Sequence, residues 1–131
     1  MQEAHAWNEA LDLDHEAMDH EHHLQIALVT AFADAVEQRR PWLARRLAEQ
    51  LLRYSTVHFG SEELLMEASG HAGREAHAAE HEVFLAQMRE LSAIFDEESG
   101  EIALAAALDL RSAIAGHIGG ADRRLAAHAR R

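Results

Sequence analysis

The chain has 131 residues, of which 48% are hydrophobic and 27% charged, a length and balance that fit one globular domain and exclude two domains or a disordered chain. Twelve basic residues against twenty-three acidic give a formal net charge of −11, which argues against nucleic acid and anionic membrane surfaces as partners. Eleven histidines and no cysteine mean that any metal site is built from imidazole and carboxylate, not thiolate.

One proline and seven glycines among abundant Ala, Leu and Glu favour helices. Apolar residues spaced three and four apart predict four of them. Residues 1–18, with Trp7, Leu11 and Leu13 among acids, are expected to form an irregular arm over a bundle at 19–127, and 1–131 to be a single domain. No apolar h-region opens the chain, so a cytoplasmic product is expected. The first helix is predicted from Asp19, as N-cap, to Gln38, with Ile26, Val29, Ala33 and Val36 inward. Pro41 opens the second, whose inner face carries Leu47, Leu51, Tyr54, His58 and Leu65 and which ends at 69–73. The third runs over 74–96 with His77, His81, Phe84, Met88 and Leu91 inward. After a turn at 97–100 the fourth starts near Glu101, carries Leu110, Ile114 and His117, and reaches Ala127 with an interruption at Gly119 and Gly120. The longest apolar run, 102–108, is far short of a membrane span. Short connections make successive helices antiparallel neighbours, so the predicted fold is all-α, an up-down-up-down four-helix bundle.

Side chains four apart on a helix lie about 40° apart, one turn above each other, and can share a metal. The second helix offers His58 and Glu62 and the third His77 and His81. Both pairs fall on faces that the apolar pattern turns inward, where an unpartnered polar group is costly. His22 shares the phase of Ile26 and Val29, and His117 that of Leu110 and Ile114. Asp122 follows His117 by five residues, about 140° around an ideal helix, so both face one centre only if the helix ends or distorts between them. Gly119 and Gly120 permit that. Five histidines and two carboxylates exceed one ion and suit two, with each carboxylate bridging; without thiolate they point to iron or manganese, with zinc a further option. The segment His77-x2-Glu80-His81 also matches an inverted zinc-peptidase signature, but that leaves the other inward ligands unexplained, so Glu80 is read as a solvated helix-surface acid. No Glu lies three residues before any of the five histidines, unlike the carboxylate-rich ferritin-like centres. His5, His15, His20, His23, His71 and His128 are read as solvated, and Tyr54 as a core residue whose hydroxyl seeks a polar partner.

His22, His58-Phe59-Gly60-Ser61-Glu62, His77-x3-His81 and His117-x4-Asp122, with Trp7 ahead of them and Met18-Asp19-x-Glu21-His22 around the first, resemble the hemerythrins, in particular the single-domain bacteriohemerythrins. The resemblance covers nearly the whole chain. It implies a non-heme di-iron centre, Fe(II)/Fe(III), in which His77, His81 and His117 hold one iron and His22 and His58 the other. Glu62, Asp122 and an oxo or hydroxo group would bridge them. It also implies reversible O2 binding at the open, two-histidine iron, for oxygen storage, delivery or buffering by a monomeric protein that is not an enzyme. Each iron supplies one electron and a bridging hydroxide supplies a proton, so the buried site keeps its net charge. NO, peroxide and azide are further expected ligands. The alternatives are a peroxide- or NO-reducing di-iron enzyme, or an O2 or redox sensor acting through a partner.

The chain departs from the family's usual pattern at three places. Gln25, one turn after His22, stands where Leu is common over the open iron; either its amide bonds to the bound ligand, or a slip of the helix face turns it to solvent or a backbone partner. Ala113, one turn before His117, stands where a Trp commonly packs; either it widens access, with Gly116 and Gly119 nearby, or Ile114 refills the space. Gln25, Ala113 and Ile118 are the expected O2 pocket. His71-Ala72 replaces a common Tyr-Pro, a neutral change.

Overall fold

A computed structural model describes residues 16–93 and 100–129. In chain order it contains α1 (Glu16–Glu37), α2 (Pro41–Ser69), α3 (Arg74–Ala93) and α4 (Gly100–His117), then a π-helical turn over Ile118–Asp122 and a short α5 (Arg123–Ala129). Helix α1 packs on α2 and α4, α2 on α3, and α3 on α4. This is the square of antiparallel neighbours expected from the short connections. Helix α5 continues beyond α4 and rests against α2.

Helix α1 already includes Glu16, so residues 16–18 of the expected arm are helical and Asp19 is not its N-cap. The reason is Met18, which extends the inward stripe one turn before His22 and is itself buried. The rest of the arm, with Trp7, lies outside the described residues, as do Asp96 and residues 97–99. Gly100, expected in the turn, is the first residue of α4.

The first two helices end in the same closure. At the end of α2, Gly70 takes a left-handed conformation (φ 65°); its N–H reaches the Glu67 carbonyl, and the His71 N–H reaches that of Met66. At the end of α1, Arg39 takes the left-handed role (φ 56°), with Arg39 and Arg40 donating to Val36 and Ala35. Glycine does this freely, whereas a side chain there costs about 1–2 kcal/mol. Pro41 then occupies the first turn of α2, where its missing N–H has no intrahelical partner to lose.

The inward stripes change character along the bundle. Toward the α1–α2 turn they are apolar: Val29, Phe32 and Ala33 on α1, Ala44, Ala48 and Leu51 on α2, Met88 and Leu91 on α3, and Ala103, Ala107 and Leu110 on α4. Each large side chain buried there is worth about 1.5–3 kcal/mol relative to exposure. Toward the α2–α3 turn the same stripes carry imidazoles and carboxylates. The stretch Gly100–His128 is long and apolar enough to cross a membrane by length and composition, more than its seven-residue apolar run suggests. In the fold it packs on the other helices, and its buried face carries His117 and Asp122.

Candidate metal centre

All seven residues expected as ligands are buried and come together: His22 from α1, His58 and Glu62 from α2, His77 and His81 from α3, His117 from α4 and Asp122 from the π-helical turn. Each ring turns its Nε2 inward. Glu62 divides its oxygens, Oε2 lying 3.2 Å from His22 and 3.1 Å from His58, and Oε1 lying 3.0 Å from His81 and 3.5 Å from His77. Asp122 does the same, with Oδ2 at 3.0 Å from His22 and Oδ1 at 2.7 Å from His77 and 3.0 Å from His117. Two groups of donor atoms result, each gathered within 4.8 Å: Glu62, His77, His81, His117 and Asp122 in one, His22, His58 and Glu62 in the other.

Close approach is not the same as satisfaction here. His58 Nε2, His77 Nε2, Glu62 Oε1 and both Asp122 oxygens are buried without a hydrogen-bond partner, although carboxylate and imidazole atoms lie near them. His81 Nε2 and His117 Nε2 face each other at 3.2 Å. These atoms aim at shared points rather than at one another, and a native interior seldom leaves so many buried polar atoms unpaired. A cation at those points satisfies them, and an oxygen-and-imidazole donor set suits iron, manganese or zinc.

The π-helical turn resolves the His117–Asp122 spacing. In an i→i+5 turn, residues five apart stack much as residues four apart do in an α-helix, so both side chains reach one centre. Glycine is not what allows it: neither Gly119 nor Gly120 has a positive φ. A Cβ at Gly119 would meet nothing within 4 Å, and one at Gly120 only the end of the Arg124 side chain at 3.8 Å.

On their far side, three rings are held by carboxylates that the sequence reading missed. His58 Nδ1 donates to Glu21 at 2.5 Å, His81 Nδ1 to Glu63 at 2.9 Å, and His117 Nδ1 to Glu80 at 2.6 Å. Glu80 is therefore not merely a solvated surface acid. Each acceptor comes from the preceding helix and adjoins a centre residue in sequence: Glu21 beside His22, Glu63 beside Glu62, Glu80 beside His81. Such bonds fix the ring tautomer and leave Nε2 as the donor to a metal. The available signal was an acid adjacent to an inward residue, on the flank facing the next helix. Tyr54 finds its partner in the Glu21 carbonyl, at 3.0 Å; burial, then the Glu21 charge, pushes its hydroxyl up to about 12.

Without metal the cluster holds protons instead. Burial disfavours charge on His22 and His77, but hydrogen bonds to Asp122 and Glu62 outweigh it and push each imidazole up to about 9. His58 is raised by the same balance, burial opposing and Glu62 prevailing. Burial likewise works against the Glu62 and Asp122 anions, but the surrounding imidazoles hold both below the ordinary carboxylate range.

Around the centre, Phe59 stacks on His81 with centroids 4.0 Å apart, Phe84 meets His117 edge-on at 5.2 Å, and Ile118 is fully buried. Gln25 is buried rather than turned to solvent, and its amide donates to Ser55 Oγ at 2.9 Å. Ala113 is exposed and is not part of a buried pocket: at about 100° per residue it lies at the edge of the stripe formed by Leu110, Ile114 and His117. Ile114 is the buried residue there. His20 and His23 are exposed as expected, and His5 and His15 lie outside the described residues. His128 is not simply solvated. Its Nε2 donates to the Ser69 carbonyl at 2.7 Å, and its ring lies 5.1 Å from that of His71, fastening α5 to the end of α2.

A family model described as the hemerythrin HHE cation binding domain matches residues 9–129. Curated bacteriohemerythrins of Pseudomonas paraeruginosa and Pseudomonas aeruginosa are 27% identical to the chain over 95 residues, 72% of this chain and 61% of theirs. The match thus spans about three fifths of those relatives' length. No solved structure matches. With the family model covering nearly its full length and its buried histidines and carboxylates gathered in one cluster, the chain belongs to the hemerythrin family of HHE cation-binding domains.

Proposed function

We propose that the chain binds O2 reversibly at a pair of irons, storing, delivering or buffering it, and that it acts as one domain and as a binding protein rather than an enzyme. The observation that carries this reading is the division of Glu62 and Asp122, each presenting one oxygen toward His22 and the other toward the α3 and α4 histidines. Carboxylates placed this way suit two cations side by side. His77, His81 and His117 would hold one iron, His22 and His58 the other, with Glu62 and Asp122 bridging together with an oxo or hydroxo group. The buried oxygens and Nε2 atoms that lack hydrogen-bond partners fit that assignment.

Two irons bound there supply the reversible change of one electron per metal that O2 binding requires. The chain's own residues supply the setting. Glu62 and Asp122 would each offer one oxygen to either metal. Glu21, Glu63 and Glu80 accept the Nδ1 protons of three rings, so those rings cannot rotate away. Phe59, Phe84 and Ile118 pack against the cluster and keep bulk water off it. An acidic bundle of this kind fits a cytoplasmic monomer.

The test is to load the full chain with Fe(II) without oxygen, count the metal, admit air, follow the visible charge-transfer band and then degas. Two irons per chain and return of the colourless form are expected. Irreversible bleaching with peroxide or NO turnover would replace the carrier by an enzyme. Absence of a band would remove O2 binding from the reading.

A further inference from the structure

Among the described residues, nine polar or charged side chains are buried, and seven of them form the candidate metal centre. The other two are Gln25 and Ser55, and they are bonded to each other: Gln25 Nε2 donates to Ser55 Oγ at 2.9 Å, with exposures of 1% and 0%. Stability does not account for such a pair. Replacing both partners of a buried hydrogen bond by apolar groups of similar shape is close to neutral or stabilising, and the stripes that continue from it are apolar, with Ile26 and Val29 on α1 and Leu51 on α2.

The position of the pair is more informative. Gln25 is one turn beyond His22 on α1, and Ser55 is one turn before His58 on α2, so the pair lies alongside the two histidines of the three-donor group. Those two rings meet edge to face at 5.0 Å. The five-donor group is fenced by rings, Phe59 stacked on His81 and Phe84 against His117; Phe59 also lies 5.6 Å from His58, so the two fences meet there. Counting Asp122 Oδ2, 3.0 Å from His22 Nε2, a metal on the His22 and His58 half has four protein donors against five on the other, so it has more room for an exogenous ligand. The polar fence therefore stands on the half with more room for a ligand. Ser55 uses only one of the two amide hydrogens of Gln25, and a serine that accepts one bond still has its own proton to donate.

We propose that Gln25 and Ser55 form a hydrogen-bonding wall over the two-histidine half of the centre, selecting small ligands whose terminal atom is anionic and accepts a hydrogen bond. Gln25 is the donor, and Ser55 is the positioning residue that holds its amide plane. The proposal rests on the di-iron reading above and names the ligand class that the open half prefers. A bond to a charged acceptor in a buried site contributes enough that its loss weakens affinity on the order of tenfold.

Azide titration of the iron-loaded, air-oxidised full chain tests it, read by the azide charge-transfer band and by the infrared stretch of the bound azide. Gln25→Met keeps the length of the side chain without a donor. It is expected to weaken azide on the order of tenfold and to shift the stretch, while the metal-free protein melts at the same or a higher temperature. Ser55→Ala leaves the amide in place but unheld, and a smaller loss is expected. It removes only a hydroxyl, so it gives the reading if Gln25→Met does not fold. Equal azide affinity and an unshifted stretch in both variants, at unchanged iron content, would overturn the proposal and leave the di-iron centre standing. A wild type that takes up two irons but no azide also overturns it alone, whereas a wild type that takes up no iron overturns both.

Discussion

Cut crosswise, the bundle has an apolar half around Phe32, Leu51, Met88 and Leu110 and a donor half around Glu62 and Asp122, with the same inward stripes running through both. In the apolar half a side chain gains by leaving water and touching whatever apolar neighbour is there, so many sequences would serve. In the donor half each group is satisfied only when a particular atom arrives within about 3 Å. The apolar half thus fixes the helices at the offsets that the donor half requires, and the donor half adds chemistry at some expense in stability.

That division can be broken in several ways. The largest effect is expected from Glu62→Ala, which removes the oxygens facing both groups of histidines; metal content should fall from two ions to one or none, measured as metal per chain after gel filtration. Phe32→Ala, at a fully buried apolar position, should cost about 3–5 kcal/mol in denaturant unfolding and leave the metal content intact. A variant that lost metal but little stability would show that the two halves are not separable. Glu80→Gln tests the outer carboxylates: with the anion behind His117 gone, metal affinity should drop roughly 10- to 100-fold in a chelator competition, with little change in metal-free melting.

The smallest effect is on pH dependence, and its sign differs between the two sets of groups. His22 and His77 are raised to about 9 in the metal-free protein, so the stability they contribute is complete below their ordinary 6.5 and is lost as pH rises through 9. Glu62 and Asp122 are depressed, so their contribution is complete above their ordinary values of 4.5 and 3.8 and is lost as pH falls below them. Metal-free melting should therefore be highest between these limits and decline toward pH 9. Metal displaces the imidazole protons, so the loaded protein should lack the alkaline decline; if it keeps it, the protons are not where the metals go.

The sequence was most legible where one helix decides the matter. The phase of His22, His58, Glu62, His77, His81 and His117 follows from each helix's own apolar stripe, and Pro41 marks where α2 begins. What it did not reveal depends on two helices at once. Glu21, Glu63 and Glu80 act through rings on the following helix, and the match of Gln25 to Ser55 is set by how far α1 has slid along α2. One-dimensional periodicity contains neither the rotation nor the offset. Ala113 shows the same limit from the other side: one turn from His117 placed it near the centre, but its position at the edge of the stripe left it in solvent. The distortion before Asp122 was foreseen at the right place and attributed to the wrong property, since the glycines there are not sterically required.

The turn over Ile118–Asp122 has a consequence for how this gene can change. A π-helical turn is an α-helix carrying one extra residue, so its shape rests on no one of its side chains. Side chains could replace Gly119 without collision, and the segment can drift in spelling. Losing a single codon would turn the segment into plain α-helix, with the aspartate four residues after His117 and about 40° from it, the spacing that His58 and Glu62 already use. The chain beyond then keeps its phase, so at this point the bundle tolerates a change of length that elsewhere in a helix would rotate everything downstream.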